Sequence, residues 1–585
     1  MTTALLASLL PLSVVIPFAG AVAAPLLARL SQRLPLVVSV VALAAAAVPL
    51  ALAAPRVFTG TVLVHYLGHW APVHGAVLGI GFAADPFGLV FALAFVVVGG
   101  LLLVSTLSQF GGLGKHELGG YACLFQLLIG ALVGSALTAD LFNLFVWFEV
   151  AALSSYGLTG FLLERPVAAE AAFKILVLTT LASFALFVGI GLLYADHGAL
   201  NLAQLHDALA GGTRTPDRIA LGLLVAGFAT KAGLMPFHGW LPDAHTAAPG
   251  PVSALFSGLM VSMGVLAIAR LVFQVYGPGS TAVLGVLMVL GVASALLGAV
   301  LALAQDDLKR LLAYDTISQM GVIVVGLATG TAAGAAGATY HFVNHALFKS
   351  LLFLCAGAIV HANGVERLSE MGGLARRMPV VTAAFVLGVL SIVGIPPFNS
   401  YVSLGLIHDG LHESHHEVAY VLMLIAQVIA IAALGRATWL AFFRRRPRAY
   451  ERKERLRAGM ITALSGLGAC CVASGVLPEQ LLGNVVAPAQ ASLLHGSAYA
   501  GAVLDAGSAV TSGSVPFHYG NVEELVTVAV SVVLAAALAL CYLRIREPLP
   551  VRALRALHTG SVNDYAAYAA GGMVVVVAVL GLLTG

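Results

Sequence analysis

Charge is what this sequence has least of. Only 9% of its 585 residues are Asp, Glu, Lys or Arg, against roughly a quarter in soluble globular proteins. So few charges cannot cover a water-facing surface, so lipid must be the solvent for most of the chain. Cysteine is scarce too. Cys123, Cys355, Cys470, Cys471 and Cys541 are scattered through apolar runs without ligand spacing. No iron–sulfur or zinc centre is readable from them, and they are expected to be small buried hydrophobes. No metal or cofactor is expected on this chain. A net charge of +3 is too small to suggest nucleic-acid binding. No Gly-rich nucleotide loop follows a strand, and no nucleophile elbow is present, which argues against an enzyme acting alone.

What the sequence has in quantity is apolar runs of about 20 residues, the length a bilayer requires. Sixteen spans are predicted: 4–28, 34–54, 86–108, 120–138, 140–163, 170–195, 219–237, 250–276, 282–304, 316–329, 335–361, 379–404, 418–443, 459–480, 523–543 and 570–584. The first lacks a basic start, so it reads as a retained helix rather than a secretory signal. The 64 glycines suit close helix packing in membranes. The fold class is therefore all-α and polytopic. Twenty-one of the 29 Lys and Arg residues fall in loops after odd-numbered spans, and three (Arg56, Arg214, Arg218) after even-numbered ones. The remaining five, Lys174, Lys231, Arg270, Lys349 and Arg436, lie inside spans. Positive charge stays on the cytoplasmic side, so the odd loops are cytoplasmic and both termini face outward. The run from Arg444 to Arg457 is the strongest cytoplasmic anchor, read as a topology determinant. The outward stretches 55–85 and 481–522 are too plain to be catalytic domains.

A charge within hydrocarbon costs about 2.5–3.5 kcal/mol on insertion scales and needs a reason. Glu149 lies about 14 Å and Lys231 about 18 Å into their spans, at 1.5 Å per residue. Matching depth and opposite sign suggest a buried ion pair, either a switchable proton site or a static packing contact. Pro236 removes a helix donor just after Lys231, so the helix is expected to break there. His238, Asp243 and His245 follow, as an accessory proton path or a capped, solvated loop. His341, His345 and Lys349 stand at i, i+4 and i+8, on one helical face. Histidine both takes and gives a proton near neutrality, so this face reads as a proton wire; a metal site would lack a carboxylate or cysteine partner. Lys174 and Arg436 are expected to snorkel or pair, and Arg270 to snorkel. The cluster His408, Asp409, His412, Glu413, His415, His416 and Glu417 reads as an outward loop. It is a proton-collecting mouth, a metal-binding patch or merely a solvated segment.

Five segments occur in a characteristic order: ADLFNLFVWFEV, KAGLMPFHGWLPDAHTAAPGPVSALFSG, QDDLKRLLAYDTISQMG, YHFVNHALFKSLLFLCAGA and SIVGIPPFNSY. Together they resemble the antiporter-like subunits of complex I, the Mrp-type cation/proton antiporters, and the membrane subunits of formate-hydrogenlyase and energy-converting hydrogenases. The resemblance is strong over residues 80–445 and reaches the tail segment LRALHTGSVNDYAAYAAGG. It implies two inverted five-helix repeats, each with a broken helix, at spans 4–8 and 9–13. The expected division is 1–110 (N-terminal helices), 111–445 (antiporter-like core) and 446–585 (C-terminal transmembrane extension). By resemblance, Glu149 and Lys231 form the proton-loading pair, and His341, His345 and Lys349 carry the proton onward. The implied setting is an inner-membrane complex. Its partner chains transfer electrons, as in NADH:quinone oxidoreductase or hydrogenase assemblies, or exchange sodium for protons. A non-conducting scaffold is the remaining alternative. Two departures favour it: Ser262 and Leu404 stand where the family commonly has charged residues, so the usual outer terminus is missing. Asp315 takes a place often held by serine, and is read as a buried carboxylate that partly compensates.

Overall fold

In lipid, a backbone satisfies its own N–H and C=O groups only by coiling into a helix or closing a barrel. The apolar runs take the first route. The computed structural model describes residues 2–73, 76–109, 113–162, 164–277, 281–445, 456–505, 515, 521–544 and 549–582. Among them, fourteen helices are long and apolar enough to cross a membrane, against the sixteen predicted spans. Residues 446–455 of the basic run, and part of the stretch 481–522, lie outside the described residues.

An N-terminal pair, α1 (Leu12–Leu27) and α2 (Leu34–Val57), leads into an antiparallel hairpin, β1 (Leu63–Tyr66) with β2 (Gly81–Ala84). The hairpin fills part of the stretch 55–85. Next come α3 (Pro86–Gln109), α4 (Lys115–Leu137), α5 (Leu141–Thr159) and α6 (Pro166–His197). A split pair follows, α7 (Thr215–Ala232) and α8 (Trp240–Ala247). The centre of the molecule is built from α9 (Gly250–Val275), α10 (Thr281–Leu303), α11 (Leu308–Ala328) and α12 (Ala332–Asn363). A second split pair, α13 (Pro379–Val393) and α14 (Ser400–Glu413), precedes α15 (Glu417–Phe443) and α16 (Ala458–Val476). The C-terminal part holds α17 (Ala487–Leu494), α18 (Gly496–Asp505), α19 (Val522–Arg544) and α20 (Val562–Leu582).

The two split pairs account for the difference in count. The predicted spans 219–237 and 379–404 are interrupted by the same local chemistry. α7 ends on Gly233, with φ at 70°, and α13 on Gly394, with φ at 75°. Glycine occupies this left-handed region without a Cβ penalty. A proline stands three residues after each glycine and a phenylalanine four after (Pro236 and Phe237, Pro397 and Phe398), and proline cannot continue the α-helical ladder. The indole of Trp240 donates to Thr230 O (2.8 Å), so one carbonyl freed at the first break keeps a partner. The predicted span 316–329 is also corrected: α11 starts at Leu308, capped by Asp307, whose carboxylate accepts from Arg310 N (2.8 Å). Lys309 and Arg310 in its first turn disguise the true start.

Close approach at the centre depends on glycine. A Cβ on Gly357 of α12 would stand 2.6 Å from the Cα of Gly250 on α9. Gly357→Ala is therefore expected to cost about 1–3 kcal/mol, the usual penalty for overpacking, measured by thermal unfolding in detergent. An unchanged midpoint would show that the two helices separate freely. The C-terminal part is not peripheral. α20 lies along α7, and α17 packs against α3 and α12.

Arg270, predicted to snorkel, is corrected: it is almost fully buried. It donates to Asp85 Oδ1 (2.7 Å), Ala136 O (2.8 Å) and Gln274 Oε1 (2.6 Å). Asp85 also accepts from Ser492 Oγ of α17 (2.7 Å), and Gln274 donates to Ser492 O (3.2 Å). A buried guanidinium persists where several hydrogen bonds replace water, and these clip the C-terminal part to the core.

Candidate functional site

Helix spacing dictates which polar side chains meet inside the bundle. Glu149 on α5 and Lys231 on α7 do not form the direct ion pair their depths suggest. α7 packs chiefly on α6, and α5 on α4 and then on α6, and Glu149, half-buried, accepts from Ser183 of α6 instead. Lys231 is fully buried. Its Nζ lies 5.1 Å from the centre of the Phe148 ring, with no hydrogen-bond partner among the described residues. Ser262 sits on α9 between two π-helical stretches, Phe256–Met260 and Arg270–Val275, a distortion often found at functional sites. Gly264 brings α9 onto the last turn of α7, since a Cβ there would stand 2.4 Å from Phe228 O and 2.5 Å from Ala232 N. The Ser262 hydroxyl is buried and, among the described residues, unpartnered as well.

The segment after the first break is a helix, α8, and not the solvated loop considered above. Its two ionisable residues differ in role. Asp243 is tied to Lys174 (2.8 Å) and Arg310 (3.1 Å), and Lys174 also pairs with Glu170 (2.5 Å), so Asp243 is held between two cations. His245 is fully buried, 5.3 Å from the Phe353 ring, and neither of its ring nitrogens has a partner among the described residues. His238 Nε2 lies 2.8 Å from His558 Nε2, so the two imidazoles share one proton. Burial holds His558 below its ordinary pKa, which suits a neutral ring.

α12 brings its three predicted residues into the buried interior. His341 Nε2 meets Gln319 Oε1 and its Nδ1 meets Ser403 Oγ, each at 2.9 Å. His345 is fully buried, with both nitrogens unpartnered among the described residues. Lys349 forms an ion pair with Asp315 of α11 and donates to Leu312 O (3.1 Å), all of it sealed from solvent. Asp315 is thus the counter-ion of Lys349. Lys309 escaped the sequence reading because it resembles an ordinary loop cation. Its Nζ donates to Ala248 O (2.6 Å). It also lines a cavity of about 310 Å³ with Arg165, Pro249, Gly250 and His361 at the basic end of the bundle.

Buried polar atoms are almost always hydrogen-bonded. Among the described residues, Lys231 Nζ, Ser262 Oγ and both nitrogens of His245 and His345 are among the exceptions. Such groups accommodate water and exchange protons with it. The fold and site define a multi-pass helical membrane protein with several protonatable side chains buried in its interior.

Comparison with known proteins gives this class its family. The model described as "NADH:quinone oxidoreductase/Mrp antiporter, TM" matches residues 138–430. NADH-quinone oxidoreductase subunit N of Desulforudis audaxviator (strain MP104C) is 34% identical over 497 residues, 81% of this chain and 97% of that protein. A Na(+)/H(+) antiporter subunit of Bacillus subtilis (strain 168) is 32% identical over 390 residues, 66% of this chain and 77% of that protein. The structure of the Mrp complex from Dietzia sp. DQ12-45-1b contains a chain that superposes with a TM-score of 0.77 at 27% identity, covering 85% of this chain and 99% of that one. A chain of the archaeal membrane-bound sulfane sulfur reductase does so at 0.78 and 29%, with the same coverage. The chain belongs to the NADH:quinone oxidoreductase/Mrp antiporter membrane-subunit family.

Proposed function

We propose that this chain is a proton-translocating membrane subunit of a redox-driven complex, of the NADH:quinone oxidoreductase or membrane-bound hydrogenase type. One observation carries the proposal: the buried line of Lys231, His245, His345, Lys349 and His341, in which several titratable atoms have no partner among the described residues. Protons enter by the Lys309 cavity, pass His245 and Lys349, and go on through His345 to His341. The positive charge on Lys349 is held by Asp315 until the pair opens. Glu149, at the half-buried edge of the bundle, sets the charge state of Lys231, with Ser183 and Ser262 as relays. His238 and Asp243 belong to the supporting shell. The bundle's basic end is cytoplasmic and both termini face outward, as the distribution of Lys and Arg supports. The matching breaks at Gly233 and Gly394 support two inverted repeats, and electron transfer is assigned to partner chains. The Bacillus subtilis relative supports a second reading, a subunit of a sodium/proton antiporter built on the same relay.

Lys231 provides the test, because its removal orphans no hydrogen-bond partner among the described residues. In the complex reconstituted with its own partners in liposomes, Lys231→Ala is expected to assemble normally and move no protons. Lys231→Arg keeps the charge but cannot release it, since arginine stays protonated, and is expected to fail as well. Full transport by either variant would reject the relay. Drive by the partners' redox substrate supports the first reading, and drive by a sodium jump the second.

A further inference from the structure

Family resemblance leaves the proton path without an outer end, because Leu404 replaces the usual charged residue. The structure supplies a different one. Leu404 lies on α14, and His408 stands one helical turn further toward the end opposite the basic loops, on the same face. His408 is therefore not in a loop, as its His-rich neighbourhood suggested. It is 4% exposed. Its Nδ1 lies 3.3 Å from Glu524 Oε1, contributed by α19 of the C-terminal part, and its ring packs 5.2 Å from that of Tyr420. Leu404 and His408 also line a small cavity of about 20 Å³, with Ser318, Gln319 and Gln427 on its other walls. That volume holds about one water, and four polar side chains there could bind it. Gln319 is the residue bonded to His341.

We infer that His408 and Glu524 form the outer terminus of the proton path, replacing the group lost at position 404 by one set a turn further out. The inference rests on the relay proposed above. A proton leaving His341 crosses the cavity beside Gln319 and arrives at His408 Nε2. The Nδ1 proton of the same ring then passes to the Glu524 carboxylate, and from there to water. One proton enters and one leaves, so the imidazole ends neutral. Besides Glu524 and Tyr420, the charged groups around this exit are Asp409, His412 and Glu413 of α14 and Glu417 and Glu523 of the neighbouring helices. Glu417 is bonded to His412 (3.1 Å). Mostly acidic, they draw a proton outward to the rim.

The experiment compares proton movement by the reconstituted complex in four forms: wild type, Lys231→Ala, His408→Gln, and His408→Gln with Leu404→Glu. His408→Gln keeps hydrogen bonding but not titration, and is expected to lower transport at least about tenfold. Adding Leu404→Glu restores a titrating group to the same face and is expected to recover most of the loss, which a folding defect would not allow. Glu524→Gln, at the rim, is expected to lower transport as well. Wild-type transport by His408→Gln, or a loss that Leu404→Glu does not recover, would overturn the inference. If Lys231→Ala is inactive while His408→Gln is not, the terminus fails and the relay stands. If Lys231→Ala transports normally, the relay fails and takes the terminus with it.

Discussion

Replacing Lys349 by methionine is expected to destabilise the protein by about 3–5 kcal/mol and to abolish proton transport. Two separate causes are at work. Asp315 and Lys349 are both fully buried and face each other. Taking one partner away leaves an uncompensated charge in a low-dielectric interior, the costly half of any buried ion pair. Asp315→Leu alone should be damaging for the mirror-image reason, with the Leu312 carbonyl as the only remaining partner of the ammonium among the described residues. The pair as a whole is another matter. Well-packed apolar residues often replace a buried ion pair at little cost, so Asp315→Leu with Lys349→Met should return to within about 1 kcal/mol of the parent. Transport should stay absent, because the titrating group that links His245 to His345 is gone. Thermal unfolding of the purified complex and proton flux in liposomes separate the two effects. A double variant that is stable and still transports would remove Lys349 from the path.

The second large effect lies outside the path. Arg270→Met is expected to cost about 3–5 kcal/mol and to loosen the segment 487–505, read as faster hydrogen exchange in α17 and α18. Here the compensating double variant, Asp85→Leu with Arg270→Met, should recover less than its counterpart at Lys349. Arg270 and Asp85 also serve Gln274 and Ser492. Those groups would lose partners, at about 1–3 kcal/mol for each buried polar atom left unsatisfied. Recovery as complete as at Lys349 would mean that this network is a simple pair rather than a clasp on the C-terminal part.

Much of this was legible in the residues. Low charge and long apolar runs established the membrane class. The i, i+4, i+8 spacing of His341, His345 and Lys349 put them on one face, and Pro236 marked the first break. Pairing was a different question. Lys231 matched Glu149 in depth, yet its ammonium rests over Phe148 while Ser183 takes the carboxylate. Asp315 reads in sequence as a buried carboxylate without a named partner, and the structure pairs it with Lys349. Lys309 and His408 were read as loop residues, because each stands where charged residues cluster at a helix end.

The division follows from what each kind of information carries. Helicity, burial against lipid and the placement of a titratable group along a span are local or one-dimensional properties. They depend on composition and on a 3.6-residue period, and the sequence by itself determined them. Partnership between helices depends on how they rotate and cross. That is governed by small-residue contacts such as Gly357 against Gly250 and Gly264 against α7. Only the tertiary structure decided which buried charge meets which, where water-sized cavities remain, and that a helix of the C-terminal part brings Glu524 to His408.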